Sequence, residues 1–237
     1  MTRMAKGFSA LILLLGMMLC ASCGTLSDDS KDSTFETDPP EITTAPTTTE
    51  DTNSIQVSVD PMTAASRWLS FESNGDGTCR LTGIGSCTDT CLIIPDMSDS
   101  GDKVVSIAAD AFAGNTNISA VQIPAGVTDI GNGAFAACTA LAYISVSDGN
   151  SAYCDIGGIL YSADKTQLLC IPAGSSLSSI TVTLQVTSIA PRASEGCTKI
   201  TKLLFEGSEE EWKKITVGAG NDALTSITPT YMKQAGK

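Results

Sequence analysis

The chain is 237 residues long, 42% hydrophobic but only 5% aromatic, with a formal charge of −12 and no histidine. That length supplies one domain's worth of core. The missing histidine excludes the commonest general base, the usual nucleophilic triads and most zinc sites, and the acidity argues against nucleic acid and anionic membrane surfaces as partners.

Arg3 and Lys6 precede the apolar run 8–19, which is short for a bilayer span and reads as a signal peptide over residues 1–22. Cys20-Ala21-Ser22-Cys23-Gly24 follows. It resembles a bacterial lipobox, with Cys20 where Leu is usual, and the resemblance implies cleavage after Ser22 and diacylglyceryl attachment to Cys23. An ordinary secretory signal and an uncleaved anchor are the alternatives. Residues 23–61 are mainly Ser, Thr, Asp, Glu and Pro, too polar to bury a core, and predict a disordered acidic linker. About 35 such residues reach roughly 30–35 Å, which would hold a domain at 62–233 off the membrane.

Residues 67–95 read as strands around two turns, Asn74-Gly75-Asp76-Gly77 and one near Thr88-Asp89. Over 62–95 this predicts an N-terminal cap hairpin with Trp68 packed on it. Glu72, Asn74 and Asp76 alternate as in a calcium loop, but the twelfth position is Gly83, which has no carboxylate. Hairpin turn chemistry is the better reading. A polar loop at 96–103 then lengthens the first repeat.

The stretch 118–140 carries the unit on which the rest is organised. Ile118, Val121 and Ile123 recur 23 residues later as Leu141, Ile144 and Val146. The same spacing separates Val104 and Ile107 from Val127 and Ile130, and Ala111-Phe112 from Ala134-Phe135. A third copy follows an insertion of 36 residues: Val186, Ile189, Ala193, Cys197, Ile200, Leu203 and Phe205. A unit this small cannot cover its own apolar face, so copies must stack into a solenoid with one continuous core. Phe112 and Phe135 should stack along its axis, and Gly126, Gly131 and Gly133 should sit at corners.

The insertion at 147–181 holds Gly158-Ile159-Leu160-Tyr161, a polar turn at 162–165, and Gln167-Leu168-Leu169-Cys170-Ile171. It reads as a β-hairpin and as the largest non-repeating surface. Ser208-Glu209-Glu210-Glu211-Trp212-Lys213-Lys214-Ile215 reads as a short helix with Ser208 as N-cap, acid in its first turn and base in its last. Trp212 and Ile215 should pack on the last coil. Gly218-Ala219-Gly220-Asn221-Asp222 reads as a turn and not a dinucleotide loop.

Residues 118–138 resemble the BspA-like, Treponema-type leucine-rich repeat, L-x-x-I-x-I-P-x-x-V-x-x-I-G-x-x-A-F-x-x-C. Residues 74–95 and 205–231 are similar to that family's opening hairpin and terminal segment, so the likeness covers roughly 66 to 233. It implies a β-rich leucine-rich-repeat solenoid of short strands with brief helical or 3-10 turns. An N-terminal β-hairpin and a short C-terminal helix within 205–233 would cap it. The repeat pattern is specific for fold and weak for activity. Three positions depart from it: Asn115 at the Cys position of the first repeat, Thr183 at the Pro position of the third and Ser194 at its Phe position. The third repeat is therefore expected to be the least well packed.

No carboxylate pair among Asp110, Asp129, Asp148, Asp155 and Asp164 has a motif around it, so no catalytic residue, metal or cofactor is assigned. Cys138 and Cys197 share a repeat phase and read as small core thiols. Cys87 and Cys91 lack a second pair at zinc spacing. Export permits a disulfide, without indicating which.

These features together predict a cell-surface lipoprotein on the outer face of the membrane, anchored through Cys23. Its non-catalytic repeat domain would bind an extracellular protein or polysaccharide. The binding side chains would point out of the first strand of each coil: Ala120, Tyr143 and Lys202 in one row, Gln122, Ser145 and Leu204 in the next. The alternative is an envelope spacer without a specific ligand, and third comes a carboxylate-dependent glycan hydrolase.

Overall fold

Each 23-residue unit folds into two strand positions and a run of turns. The computed structural model describes residues 64–233; the predicted signal peptide, Cys23 and the linker lie outside them. In the first strand position β3 (Cys91–Ile93), β5 (Ala120–Ile123) and β7 (Tyr143–Val146) form a parallel sheet. Its register stacks Leu92 beside Val121 and Val121 beside Ile144, all buried. In the second position β4 (Lys103–Ile107) and β6 (Asp129–Ile130) continue from an antiparallel hairpin of β1 (Ser70–Ser73) and β2 (Thr78–Gly83). The opening hairpin thus hands its second strand directly to the solenoid. In its turn Asp76 accepts hydrogen bonds from both the amide and the hydroxyl of Thr78. Residues 91–93, read from sequence as part of the cap, are the first strand of the repeat sheet.

Turns on the third side close each coil. Phe112 N donates to Ala134 O and Gly114 N to Ala136 O, both at 2.8 Å, so adjacent coils bond to each other there. The Phe112 and Phe135 rings stack as predicted, 5.5 Å apart and 5° from parallel. Two predicted corner glycines are required by geometry. Gly133 has φ +70°, and a Cβ on Gly131 would lie 2.2 Å from Ala109 N.

The insertion is a hairpin, as expected, but it is also a coil. β8 (Tyr153–Ile156), β9 (Ile159–Ser162) and β10 (Gln167–Cys170) run antiparallel in sequence. β10 then pairs in parallel with β12 (Ser188–Ile189), setting Leu168 beside Ile189. The same segment ends both N-terminal sheets. Ile130 N donates to the Tyr153 hydroxyl at 2.8 Å, Ile144 N to Gly158 O at 3.1 Å and Val146 N to Asp155 Oδ1 at 2.9 Å. Asn150 ties it down by donating to Pro124 O and Val127 O while accepting from the amides of Ala152 and Tyr153. Beyond it the insertion's own sheet continues and one further sheet begins. β14 (Thr216–Val217) extends β10 and β12, while β11 (Ser179–Val182), β13 (Lys202–Phe205) and β15 (Thr230–Tyr231) form a parallel set. The buried side chains accordingly fall into two clusters, one on each side of this junction.

Three local expectations change. Trp68 does not pack on the hairpin; it is 67% exposed. Ser66 N donates to Ile93 O and Ser66 Oγ accepts from Ile93 N, and this pinning turns Leu69 inward instead. The third repeat is well filled at Ser194, which is fully buried. Its amide and hydroxyl donate to Asn221 Oδ1, and Asn221 Nδ2 donates to Ala190 O and Gly218 O. A polar pair thus replaces the missing phenylalanine, and every hydrogen bond it needs is made. The C-terminal helix α1 (Glu209–Trp212) is one turn with the predicted Ser208 cap, completed as a capping box by Glu211. It stops before the lysines, and Lys213 is its C-cap. Trp212 meets Phe205 edge-on at 5.2 Å, as a capping tryptophan should. A second single turn, α2 (Asp222–Thr225), follows and buries Leu224.

Candidate binding face

Side chains alternate across a strand. With Val121, Ile123 and Ile144 committed to the core, Ala120, Gln122, Tyr143 and Ser145 must face outward. The parallel register sets Ala120 beside Tyr143 and Gln122 beside Ser145. β3 places Cys91 and Ile93 at the head of these same two rows. These two positions escaped the sequence reading although the signal was there: Cys91-Leu92-Ile93-Ile94-Pro95 matches Ala120-Val121-Gln122-Ile123-Pro124, and only the polar loop at 96–103 hides the spacing.

Lys202 and Leu204 lie on β13, in the other sheet, beside Ser179 and Thr181 of β11. The structure therefore brings Gln122 and Tyr143 together, and Lys202 and Leu204 together. It does not join the four in one row, because the insertion closes the first sheet at β7 before the second begins at β11.

Gln122 is exposed and donates to Ser147 Oγ at 3.3 Å. Tyr143 is committed to the insertion: its ring lies against Gly158, where a Cβ would come within 2.4 Å of Cδ2, and its hydroxyl donates to Asp155 Oδ2 at 3.4 Å. Partial burial, then the Asp155 charge, raises its pKa above the ordinary phenol value. Lys202 is exposed, and Leu204 is half-buried between Thr181 and Thr230.

Two clefts flank the first sheet. One of about 270 Å³ lies past the C-terminal ends of its strands, where Ile93, Pro95, Gln122, Pro124 and Ser147 meet. Another of about 400 Å³ lies before the strands, between the turns at 87–90 and 115–118.

The two cysteines at the shared repeat phase supply no nucleophile. Cys138 and Cys197 hold the predicted phase, each donating its thiol to a carbonyl of the neighbouring coil: Phe112 O at 3.0 Å and Ile171 O at 3.4 Å. Burial raises both pKa values, that of Cys197 to about 11, and a protonated core thiol is inert. Cys79, Cys87, Cys154 and Cys170 are likewise free thiols. Among the described residues no three His, Cys, Asp or Glu side chains gather closely enough to hold a metal, and no helix is long and apolar enough to cross a membrane.

A family model described as a BspA type leucine rich repeat region of six copies matches residues 92–156. No curated protein matches the chain. Among solved structures the chain is similar to the pneumococcal vaccine antigen PcpA, with 23% identity and a TM-score of 0.47, over 58% of this chain and 33% of that one. It is similar to a leucine rich cell surface protein from Faecalibacterium prausnitzii, with 26% identity and a TM-score of 0.42, over 62% and 40%. It is also similar to the T. pallidum leucine rich repeat protein, with 17% identity and a TM-score of 0.42, over 70% and 83%. The chain spans well under half the length of the first two.

Proposed function

We infer that this chain, whose residues 92–156 belong to the BspA-type leucine-rich-repeat family, is a non-catalytic binding module displayed outside a bacterial membrane. One observation carries the reading: in-register parallel strands hold an outward row of exposed or half-exposed side chains on a fully packed scaffold. Side chains on such a scaffold are fixed before a ligand arrives, which lowers the ordering cost of binding. The ligand is an extracellular protein or glycan. Gln122 and Ser145 are its contacts on the first sheet, Lys202 and Leu204 on the second, and Tyr143 bounds the first patch. Anchoring is through Cys23, carrying two or more acyl chains, which suffice for stable attachment where one would be marginal. Residues 23–61 are the tether.

Intact-mass analysis of the membrane fraction tests the display half of this reading. The expected result is a mature N-terminus at Cys23 with added acyl mass, lost in Cys23→Ala. Unacylated protein released to the medium would leave a secreted repeat domain and remove the anchor.

A further inference from the structure

The cleft between the turns at 87–90 and 115–118 lies apart from Gln122, Tyr143, Lys202 and Leu204, and six of its nine lining residues are polar. The side chains of Thr88, Thr90, Thr116 and Asn117 make no hydrogen bond to the described residues, so they are open to an incoming partner. Hydroxyls and a primary amide both donate and accept. That set suits a ligand whose own groups do the same at every ring position. Asp89 is the single charged side chain in the lining; it accepts from hydroxyls and repels anions. Ile84 and Ile118 supply apolar surface. The volume, about 400 Å³, falls within the range of small-molecule sites.

Trp68 stands next to this cleft. Its carbonyl accepts from Ser86 N at 3.0 Å, within the turn whose Ile84 and Cys87 form one wall. Ser66 before it and Leu69 after it are buried, so a fixed backbone carries an indole that is 67% exposed. Its φ of +60° is left-handed, a conformation that a bulky residue keeps only where its surroundings impose it. An exposed aromatic on a fixed backbone that abuts the turn walling the cleft, and hydroxyls within the cleft, match the two surfaces of a sugar: an apolar C–H face to stack on the ring, and hydroxyls at its rim.

We propose that this cleft and Trp68 together form a binding site for a neutral polysaccharide. The proposal rests on the reading of the domain as a binding module and places a second, separate contact on it.

The test is affinity electrophoresis of the full-length chain in native gels containing mixed-linkage β-glucan, galactomannan or soluble starch. Wild type is expected to be retarded by at least one of the three. Trp68→Ala and Asn117→Ala should each weaken the retardation tenfold or more with the thermal melt unchanged, while Lys214→Ala, an exposed position outside both contacts, leaves it as in wild type. No retardation in any gel overturns the proposal. So does retardation that survives Trp68→Ala and Asn117→Ala but is lost in Leu204→Ala, which would assign sugar binding to the repeat sheets and leave the binding-module reading intact. Sedimentation with neutral phosphatidylcholine vesicles that depends on Trp68, without retardation by any glycan, would make Trp68 a membrane contact and equally overturn it.

Discussion

Arg192 donates to the Asp110 carboxylate across Gly133, bonding two residues 82 positions apart. Asp110, Gly133 and Arg192 all have positive φ and occupy one repeat phase, immediately before the Ala of each coil's turn. Gly133, the middle member, has no side chain to block the guanidinium, which also bonds Glu195. The contact ties the two core clusters together on the third side of the solenoid. Because both partners are substantially exposed, Arg192→Ala should cost under about 1 kcal/mol. Gly133→Ala should cost more, about 1–2 kcal/mol from the left-handed backbone alone, since its Cβ would sit 2.7 Å from Asp110 Oδ1 and 2.9 Å from Arg192 Nη1. Urea unfolding of the two variants checks the order.

Phe135→Ala should destabilise the protein by about 3–5 kcal/mol, because Phe135 is 3% exposed and stacked on Phe112. Asn221→Ala removes a side chain that satisfies one buried amide, one buried hydroxyl and two carbonyls. Leaving such groups unpaired costs about 1–3 kcal/mol each before relaxation or water entry. The change should therefore rival the phenylalanine truncation in chemical denaturation, though far less apolar area is lost.

Much of this was legible in the chain. A 23-residue period of apolar positions specifies strands, turns and the Phe stack, since any other register would expose Val121 or Ile144. What escaped has nonlocal causes. Ser194 read as a defect because its partner, Asn221, lies 27 residues on in a segment outside the repeat pattern. The insertion read as an excursion because β10 pairs with β12 at an offset of its own, and no run of three matching positions announces it. Trp68 read as packed because hydrophobicity was visible while the Ser66 to Ile93 bonds were not. The candidate face was half legible: its outward positions followed from alternation, but its division into two sheets depended on where the hairpin lies.

The caps on the sheet ends make a local prediction. Tyr153→Phe removes the acceptor of Ile130 N, and Asp155→Ala the acceptor of Val146 N. Native-state hydrogen exchange should show the amide of Ile130 in one variant and Val146 in the other losing protection, with core amides such as Val121 unchanged. Uniform loss across both sheets would mean that the insertion supports the whole stack and does more than close its edges.

With no histidine, stability should be flat between about pH 5 and 8. On the acid side Asp76, Asp164 and Glu211 are held below their ordinary values, chiefly by hydrogen bonds from Thr78, Ser162 and Ser208 respectively. Their contribution is present above the unfolded values and is lost as pH falls through the folded ones. On the alkaline side burial raises Cys197 from 9.0 to about 11 and raises Cys170 further. The folded state keeps these protons longer than the unfolded state, so stability is full below pH 9 and falls above it. The slope is about 1.4 kcal/mol per pH unit for each such thiol. Urea midpoints from pH 3 to 10.5 check this, and Cys197→Ala should flatten the alkaline limb.

Equilibrium binding to an array of immobilised extracellular matrix proteins and glycoproteins tests the central claim most directly, comparing wild type with the double variant Gln122→Arg/Leu204→Glu. Saturable binding to at least one component is expected, weakened tenfold or more in the double variant while its melting temperature stays within the range of wild type. Absence of saturable binding throughout the array, or binding identical in both proteins, would contradict it and favour a domain that only spaces surface components.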